Sequence, residues 1–291
     1  MATLASLLPG KEHRGDQPLP VALARVGAGF VRRRVLHSHS VRVQLGRRGV
    51  FFDLDLDTAS GLHVYRHGWH DEAADAIERL VPRGGVVIDG GANVGGFALT
   101  AASVVGPEGA VHAVEAAPGT AELLRRNVVA NPGYTIHVYE LALADVEGEL
   151  EFTAFEAGSG SASLASSERG AVVRVRARTL DAVTASLPRV DLVKLDLEGA
   201  ELRALQGARR LLAEQRPALI IELEPDHLQR QGGSIEALES LLGGAGYEAF
   251  EIPLAGGQSR LVPFDSPWRR PAGNANIIAL PSERSERLNA A

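Results

Sequence analysis

Along most of the chain, short wholly apolar runs alternate with longer stretches in which apolar residues recur every three or four positions. The first arrangement marks strands buried on both faces and the second marks helices with one face on a core. Residues 1–20, with prolines at 9, 18 and 20, read as a loose leader, and residues 21–36 as an amphipathic helix ending in Arg32, Arg33 and Arg34. Two strand-like runs, Val41–Leu45 and Val50–Leu56, flank a Gly-Arg-Arg-Gly turn. The alternation proper begins with a helix over Asp71–Leu80, closed by Pro82-Arg-Gly-Gly. Strand Val86–Asp89, helix 96–105, strand Ala110–Glu115, helix Ala117–Ala130 and strand Tyr134–Leu141 follow. Residues 149–155 and 171–176 alternate as a β-hairpin around the small-residue loop GSGSASLASS. The order then resumes with strand Leu192–Asp196, helix Ala200–Ala213, strand Ala218–Glu224 and helix Ile235–Ala245, and closes on strands Tyr247–Ile252 and Asn276–Leu280. Such an order predicts an α/β fold: a mostly parallel sheet with helices on both faces and right-handed crossovers. Two regions are expected, an N-terminal extension over 1–70 (leader, helix, β-hairpin) and the α/β domain over 71–291.

Composition narrows the chemistry. The chain has 291 residues, 45% hydrophobic and 23% charged, an ordinary globular mixture with enough apolar surface for a large core. A formal charge of −6 argues against a partner bound by neutralising phosphates, so nucleic acid is not expected. With no cysteine there is no disulfide, no thiolate nucleophile and no Cys-based zinc site. The opening MATLASLLPGKEHRG makes a poor signal peptide, and no run approaches the roughly 18 apolar residues of a membrane span. A cytoplasmic protein is the expectation; assembly into a homo-oligomer stays open.

The densest chemical signal is VVIDGGANVGGFAL at 86–99, where a buried strand ends in Asp89 and a turn with glycines at 90, 91, 95 and 96 opens a helix. Such a turn lets backbone N–H groups approach a ligand closely. A dinucleotide site needs G-x-G-x-x-G and an acid about 20 residues later. Here Asn93 occupies the central glycine's place, and Glu115 lies 26 residues beyond Asp89 (115 − 89). Asp89-x-Gly91-x-Asn93-x-Gly95 is instead similar to the glycine-rich turn of class I methyltransferases.

From Tyr65 to Leu280 the chain resembles the FkbM family of S-adenosylmethionine-dependent methyltransferases. The matching pieces come in order: YRHGWHDE at 65–72, VIDGGANVG at 87–95, VEAAP at 114–118, NVVAN at 127–131, LALADVEG at 141–148, VKLDLEGAELRALQGA at 193–208, IIELEP at 220–225 and NIIAL at 276–280. The resemblance implies a class I methyltransferase fold with a Rossmann-like sheet, and S-adenosylmethionine as cofactor. It further implies cofactor contacts from Asp89, Gly91, Asn93, Gly95, Glu115, Asp145 and Asp196, with Glu115 holding the ribose hydroxyls. Tyr65, Trp69 and Glu72 fall in a segment that would cover the cofactor, although His70 stands where many relatives carry Glu.

A methyl acceptor must be aligned, and a hydroxyl acceptor also needs a base. Asp196 ends a buried strand, where a carboxylate needs a partner or a function; it is the first candidate base, with His227 and His70 as alternatives. Lys194, Glu198, Glu222 and Trp69 are candidate acceptor-side residues. Asp196, Glu198 and Glu222 are also a candidate Mg²⁺ set, a metal that would lower the pKa of a substrate hydroxyl. The expected activity is methyl transfer to an oxygen of a small molecule such as a sugar, glycolipid or polyketide-type natural product. Its rivals are a nicotinamide-dependent oxidoreductase on a related fold and a non-catalytic cofactor-binding protein.

Overall fold

The computed structural model describes residues 40–45, 49–58, 61–62, 64–65, 72–154, 171–251, 262–263 and 275–285. The expected leader and helix over 1–36, the loop at Ser159–Ser163, and Trp69 and His70 lie outside the described residues.

In chain order the strands and helices are β1 (Ser40–Leu45), β2 (Val50–Asp55), α1 (Glu72–Leu80), β3 (Val86–Gly90), α2 (Gly96–Val105), β4 (Ala110–Glu115) and α3 (Pro118–Val129). Then come β5 (Ile136–Glu140), β6 (Ala142–Leu143), β7 (Gly148–Ala154), β8 (Ala171–Arg178), the single turn α4 (Leu180–Val183), β9 (Leu192–Leu195) and α5 (Glu201–Gln206). A wide π-type turn at Leu211–Gln215 leads to β10 (Ala218–Leu223), α6 (Pro225–Arg230), α7 (Ile235–Gly244), β11 (Tyr247–Glu251), β12 (Val262–Pro263) and β13 (Ala275–Pro281).

The main sheet has the order β5-β4-β3-β9-β10-β13-β11-β12. Strands β5, β4, β3, β9 and β10 run parallel, and β13 enters antiparallel to β10. The chain therefore starts in the middle at β3, moves outward through β4 and β5, and returns on the other side through β9. Neighbouring strands that diverge in this way leave a crevice beyond their C-terminal ends, here between β3 and β9. The arrangement is the class I methyltransferase fold, as expected.

Both sheet faces are apolar because the central strands are buried on both sides. Ile88, Val193, Leu195, Leu219 and Ile221 supply one core, and Val87, Val111, Leu192 and Ile220 the other. Helix α2 (GFALTAASVV) is buried almost all round, as its composition demands. The N-terminal hairpin adds a third core of Phe52, Leu54 and Leu56 against Leu99 of α2. Two asparagines of the NVVAN stretch fasten it. Asn131 accepts from the Phe51 N–H at 2.9 Å and donates to the Phe51 carbonyl at 2.7 Å, as a neighbouring strand would. Asn127 accepts from the Asp53 N–H at 2.6 Å and donates to the Val94 carbonyl at 2.7 Å, which ties the hairpin to the glycine turn.

One expectation on the chain's second half needs correction. The single helix over Ala200–Ala213 is broken: α5 ends at Gln206, and the π-type turn begins at Leu211. A Cβ on Gly207 would lie 2.3 Å from the Ala144 carbonyl oxygen, and Asp181 accepts from the N–H groups of Arg210 and Leu211, so the chain stops and restarts there. The expected hairpin at 149–155 and 171–176 forms as β7–β8, but it joins β6 in a separate three-stranded sheet.

Candidate active site

The turns after β3, β4, β9 and β10 meet at the crevice. Gly90 ends β3, and Gly91 leaves it with φ +76° while its N–H donates to the Val114 carbonyl at 2.9 Å. A Cβ on Gly91 would come 1.9 Å from the Asp196 carbonyl oxygen, so glycine is required for the turns after β3 and β9 to touch. Asn93 holds a left-handed backbone with φ 49°, a conformation that Asn tolerates better than most residues. Its N–H donates to Glu115 Oε2 at 2.9 Å, and the Ala117 N–H donates to Glu115 Oε1 at 2.8 Å. Glu115 is thereby aimed by both flanking turns. Burial pushes its carboxyl up and the N–H donors, Ala117 and Asn93 foremost and then Ala116, pull it down, with a net upward shift that Asp196 reinforces. The Asn93 Oδ1 is buried without a hydrogen-bond partner.

Across the crevice, the Lys194 ammonium donates to Asp196 Oδ2 at 2.9 Å, lies 4.0 Å from Asp89 Oδ1 and 5.4 Å from the centre of the Phe97 ring. Asp89 is entirely buried, so its carboxylate serves Lys194 inside the protein. Burial alone would raise the Asp196 carboxyl; Lys194 and a hydrogen bond with Glu222 outweigh it and hold it below the ordinary value. A hydrogen bond between two carboxyl groups needs one proton between them, and the adjacent ammonium favours the ionised form of Asp196.

The turn after β9 is strained and pinned. Glu198 has φ 53°, and a Cβ on Gly199 would lie 2.3 Å from the His227 carbonyl oxygen, which fixes the turn against α6. Glu198 Oε2 is 2.8 Å from His227 Nδ1, at ion-pair distance but outside hydrogen-bond geometry, with Glu224 Oε2 at 3.5 Å. Burial, then Asp196, Glu224 and Glu201, push the Glu198 carboxyl up to about 7. Sequence reasoning missed two contributors. Glu201 is buried and accepts from the N–H groups of Leu197 at 2.7 Å and Gly199 at 3.2 Å, holding the turn from below. Asn127 holds the other end of the glycine turn through Val94. Both were visible as acid or amide residues in the matched motifs, but their roles depend on contacts that spacing does not reveal.

The remaining expected residues divide. Asp196, Glu198, Glu222, Lys194 and His227 gather at the crevice with Asn93 and Glu115. Asp145 is paired with Arg203 at 2.8 Å on the surface beyond β6. Asp196, Glu198 and Glu222 do not form a metal-holding group: among the described residues no three His, Asp or Glu do. Asp196 is turned to Lys194 and Glu222, whereas Glu198 is turned to His227.

The pattern describing the Methyltransferase FkbM domain matches residues 89–249, more than half of the chain. The chain belongs to the FkbM methyltransferase family. It carries that family's S-adenosylmethionine-dependent methyltransferase domain, which sets the glycine turn apart from nicotinamide sites. It is 28% identical over 229 residues to the AMB antimetabolite synthetase AmbE of Pseudomonas aeruginosa, a match covering 64% of this chain but 10% of that protein. It is 25% identical over 209 residues to the methyltransferase sdnD of Sordaria araneosa, covering 60% of this chain and 78% of the relative. Among solved structures, methyltransferase FkbM from Methylobacillus flagellatus KT shares 18% identity over 55% of this chain and 41% of its own, with a TM-score of 0.35. No helix of the described residues is long and apolar enough to cross a membrane.

The residues present fit the cofactor. The Asn93 Oδ1 is a buried acceptor with no protein donor, and each Glu115 oxygen, with one N–H bound, keeps acceptor capacity for a hydroxyl.

Proposed function

We propose that this chain transfers the methyl group of S-adenosylmethionine to an oxygen of a small molecule, foremost a hydroxyl, with Asp196 as the base. The observation that carries the reading is the Asp196 carboxylate, held ionised by Lys194 at 2.9 Å and hydrogen-bonded to Glu222 beside the glycine turn. Asn93, the glycine turn and Glu115 would hold S-adenosylmethionine, whose sulfonium supplies an electrophilic methyl. The protein's own tasks are to align the acceptor and remove its proton. A hydroxyl proton leaves as attack proceeds, and Asp196 is the ionised group placed to accept it. Lys194 keeps Asp196 charged and in place, and Glu222 fixes its second direction. No step is routed through a metal, because the acids do not converge on one point. The family resemblance supports sugars, glycolipids or polyketide-type natural products as the acceptor class, and a relative that is an antimetabolite synthetase supports a natural-product setting.

A second reading rests on His227, an imidazole at the crevice whose Nδ1 lies 2.8 Å from Glu198 Oε2 and 3.5 Å from Glu224 Oε2. Turnover on a panel of hydroxylated small molecules, run with EDTA and with Mg²⁺ and read by mass spectrometry of the product, separates the two. Asp196→Asn is expected to lower kcat about a hundredfold or more, the usual worth of a positioned base, with cofactor affinity kept within about threefold. Equal loss in His227→Gln with Asp196→Asn near wild type would transfer the role to His227. A methyl found on nitrogen or carboxylate would overturn the hydroxyl assignment.

A further inference from the structure

We infer that the small β6–β7–β8 sheet is one wall of the cofactor site, with Phe152 a positioning residue that sets the Glu115 turn for the adenosine half of the cofactor. The inference rests on reading Glu115 as the ribose acid.

The β7–β8 register pairs Phe152 with Val173 and Leu150 with Val175, so these four share one face. The other face carries the opposed pairs Glu149–Arg176 and Glu151–Arg174, all exposed to solvent. The apolar face points inward. Phe152 and Val175, each 6% exposed, pack with Ala142 of β6 on Ala117, and Ala116 and Val173 join them half-buried. Ala117 is the residue whose N–H donates to Glu115 Oε1 at 2.8 Å. Three alanines meet at this point, and the Phe152 ring fills the volume their short side chains leave.

The same sheet also reaches the other turn. Leu143 of β6 packs on Gly90, with its Cδ1 2.8 Å from where a Cβ on Gly90 would stand. One small sheet thus backs both turns that converge on Glu115, the Gly91–Asn93 turn through Leu143 and the Glu115–Ala117 turn through Phe152 and Val175. Next to the ribose acid, Ala116 and Val173 keep part of their apolar surface open. A purine ring is flat and largely apolar on its faces, and such a surface beside a diol-binding carboxylate suits the adenosine half.

Phe152→Leu tests the inference in the full chain, because it trims the ring and keeps an apolar fill. Titrations with S-adenosylhomocysteine and with 5′-methylthioadenosine, which lacks the amino-acid part, should both weaken by about tenfold and in step, while kcat at saturating S-adenosylmethionine stays within twofold. Phe52→Leu, an equal trim in the N-terminal hairpin core, serves as the control and should leave both affinities unchanged. If Phe152→Leu binds both ligands like wild type while Glu115→Gln weakens them, the wall is refuted and the ribose-acid reading stands. If wild type and Glu115→Gln bind alike, the ribose-acid reading fails and takes the inference with it. A Phe52→Leu loss equal to that of Phe152→Leu would reduce Phe152 to general packing and also overturn the inference.

Discussion

A methyl group added to Gly91 would meet the Asp196 carbonyl at 1.9 Å, at a φ of +76° that already disfavours an L side chain. Gly91→Ala is therefore expected to cost at least about 2 kcal/mol in urea unfolding, from left-handed strain plus overpacking, and to weaken the cofactor by prising the two turns apart. Gly91→Ala at wild-type stability would show that the turns after β3 and β9 need not touch. His112 is buried on β4, with its Nδ1 2.9 Å from the Tyr139 hydroxyl and its ring stacked on His137. Burial first, and then His137, lower it to about 4 from an ordinary 6.5. A depressed histidine is neutral in the fold, so its share of stability is present above about 6.5 and is lost as pH falls towards 4. Glu198 and Glu201, both raised to about 7, act in the opposite sense, with stability present below the ordinary carboxylate range and lost as pH rises through 7. The His112 share must therefore be read as the difference between wild type and His112→Gln. That difference should shrink between pH 6.5 and 4 by at most about 1.4 kcal/mol per pH unit, one proton's worth. A pH-independent difference would mean that His112 stays ordinary.

Elements were legible where burial and punctuation coincide. Helix α2 spans the predicted residues because a glycine turn opens it and Gly106 closes it. Strands β3, β4 and β9 were legible as apolar runs ending near Asp89, Glu115 and Asp196, and the strand ends located the site. The break after α5 was not, since the periodicity of ELRALQGARRLLA runs unbroken through Gly207, and it is the approach of Ala144 and the Asp181 carboxylate that interrupts it. Helix α6 was hidden because six residues behind a proline carry too little pattern to show a period. The NVVAN stretch is the clearest case of a motif whose use was illegible. Its two asparagines stand one helical turn apart, yet their partners are Phe51, Asp53 and Val94. Asn127→Ala removes two such bonds and leaves buried groups unmet, so it should destabilise by about 2–4 kcal/mol and loosen the glycine turn. Equal stability of wild type and variant would show that the hairpin is not fastened through α3.

At the scale of the whole molecule, the strand order decides everything about the site. The strand order reverses between the parallel neighbours β3 and β9 and brings four turns to one crevice, where the sequence had placed its acids by motif alone. What spacing cannot supply is how those acids divide. Asp89 and Asp196 share Lys194, Glu222 holds Asp196, Glu201 props the turn, and Glu115 faces the glycine turn. The same division explains why the expected Mg²⁺ set does not assemble. The most direct measurement is calorimetric titration of the protein with S-adenosylmethionine and S-adenosylhomocysteine, beside Glu115→Gln. Saturable binding, weakened in the variant by about 1–3 kcal/mol for a lost charged hydrogen bond, is the predicted result. A folded protein that binds neither ligand, or binds both without regard to Glu115, would contradict the placement of the cofactor at this crevice.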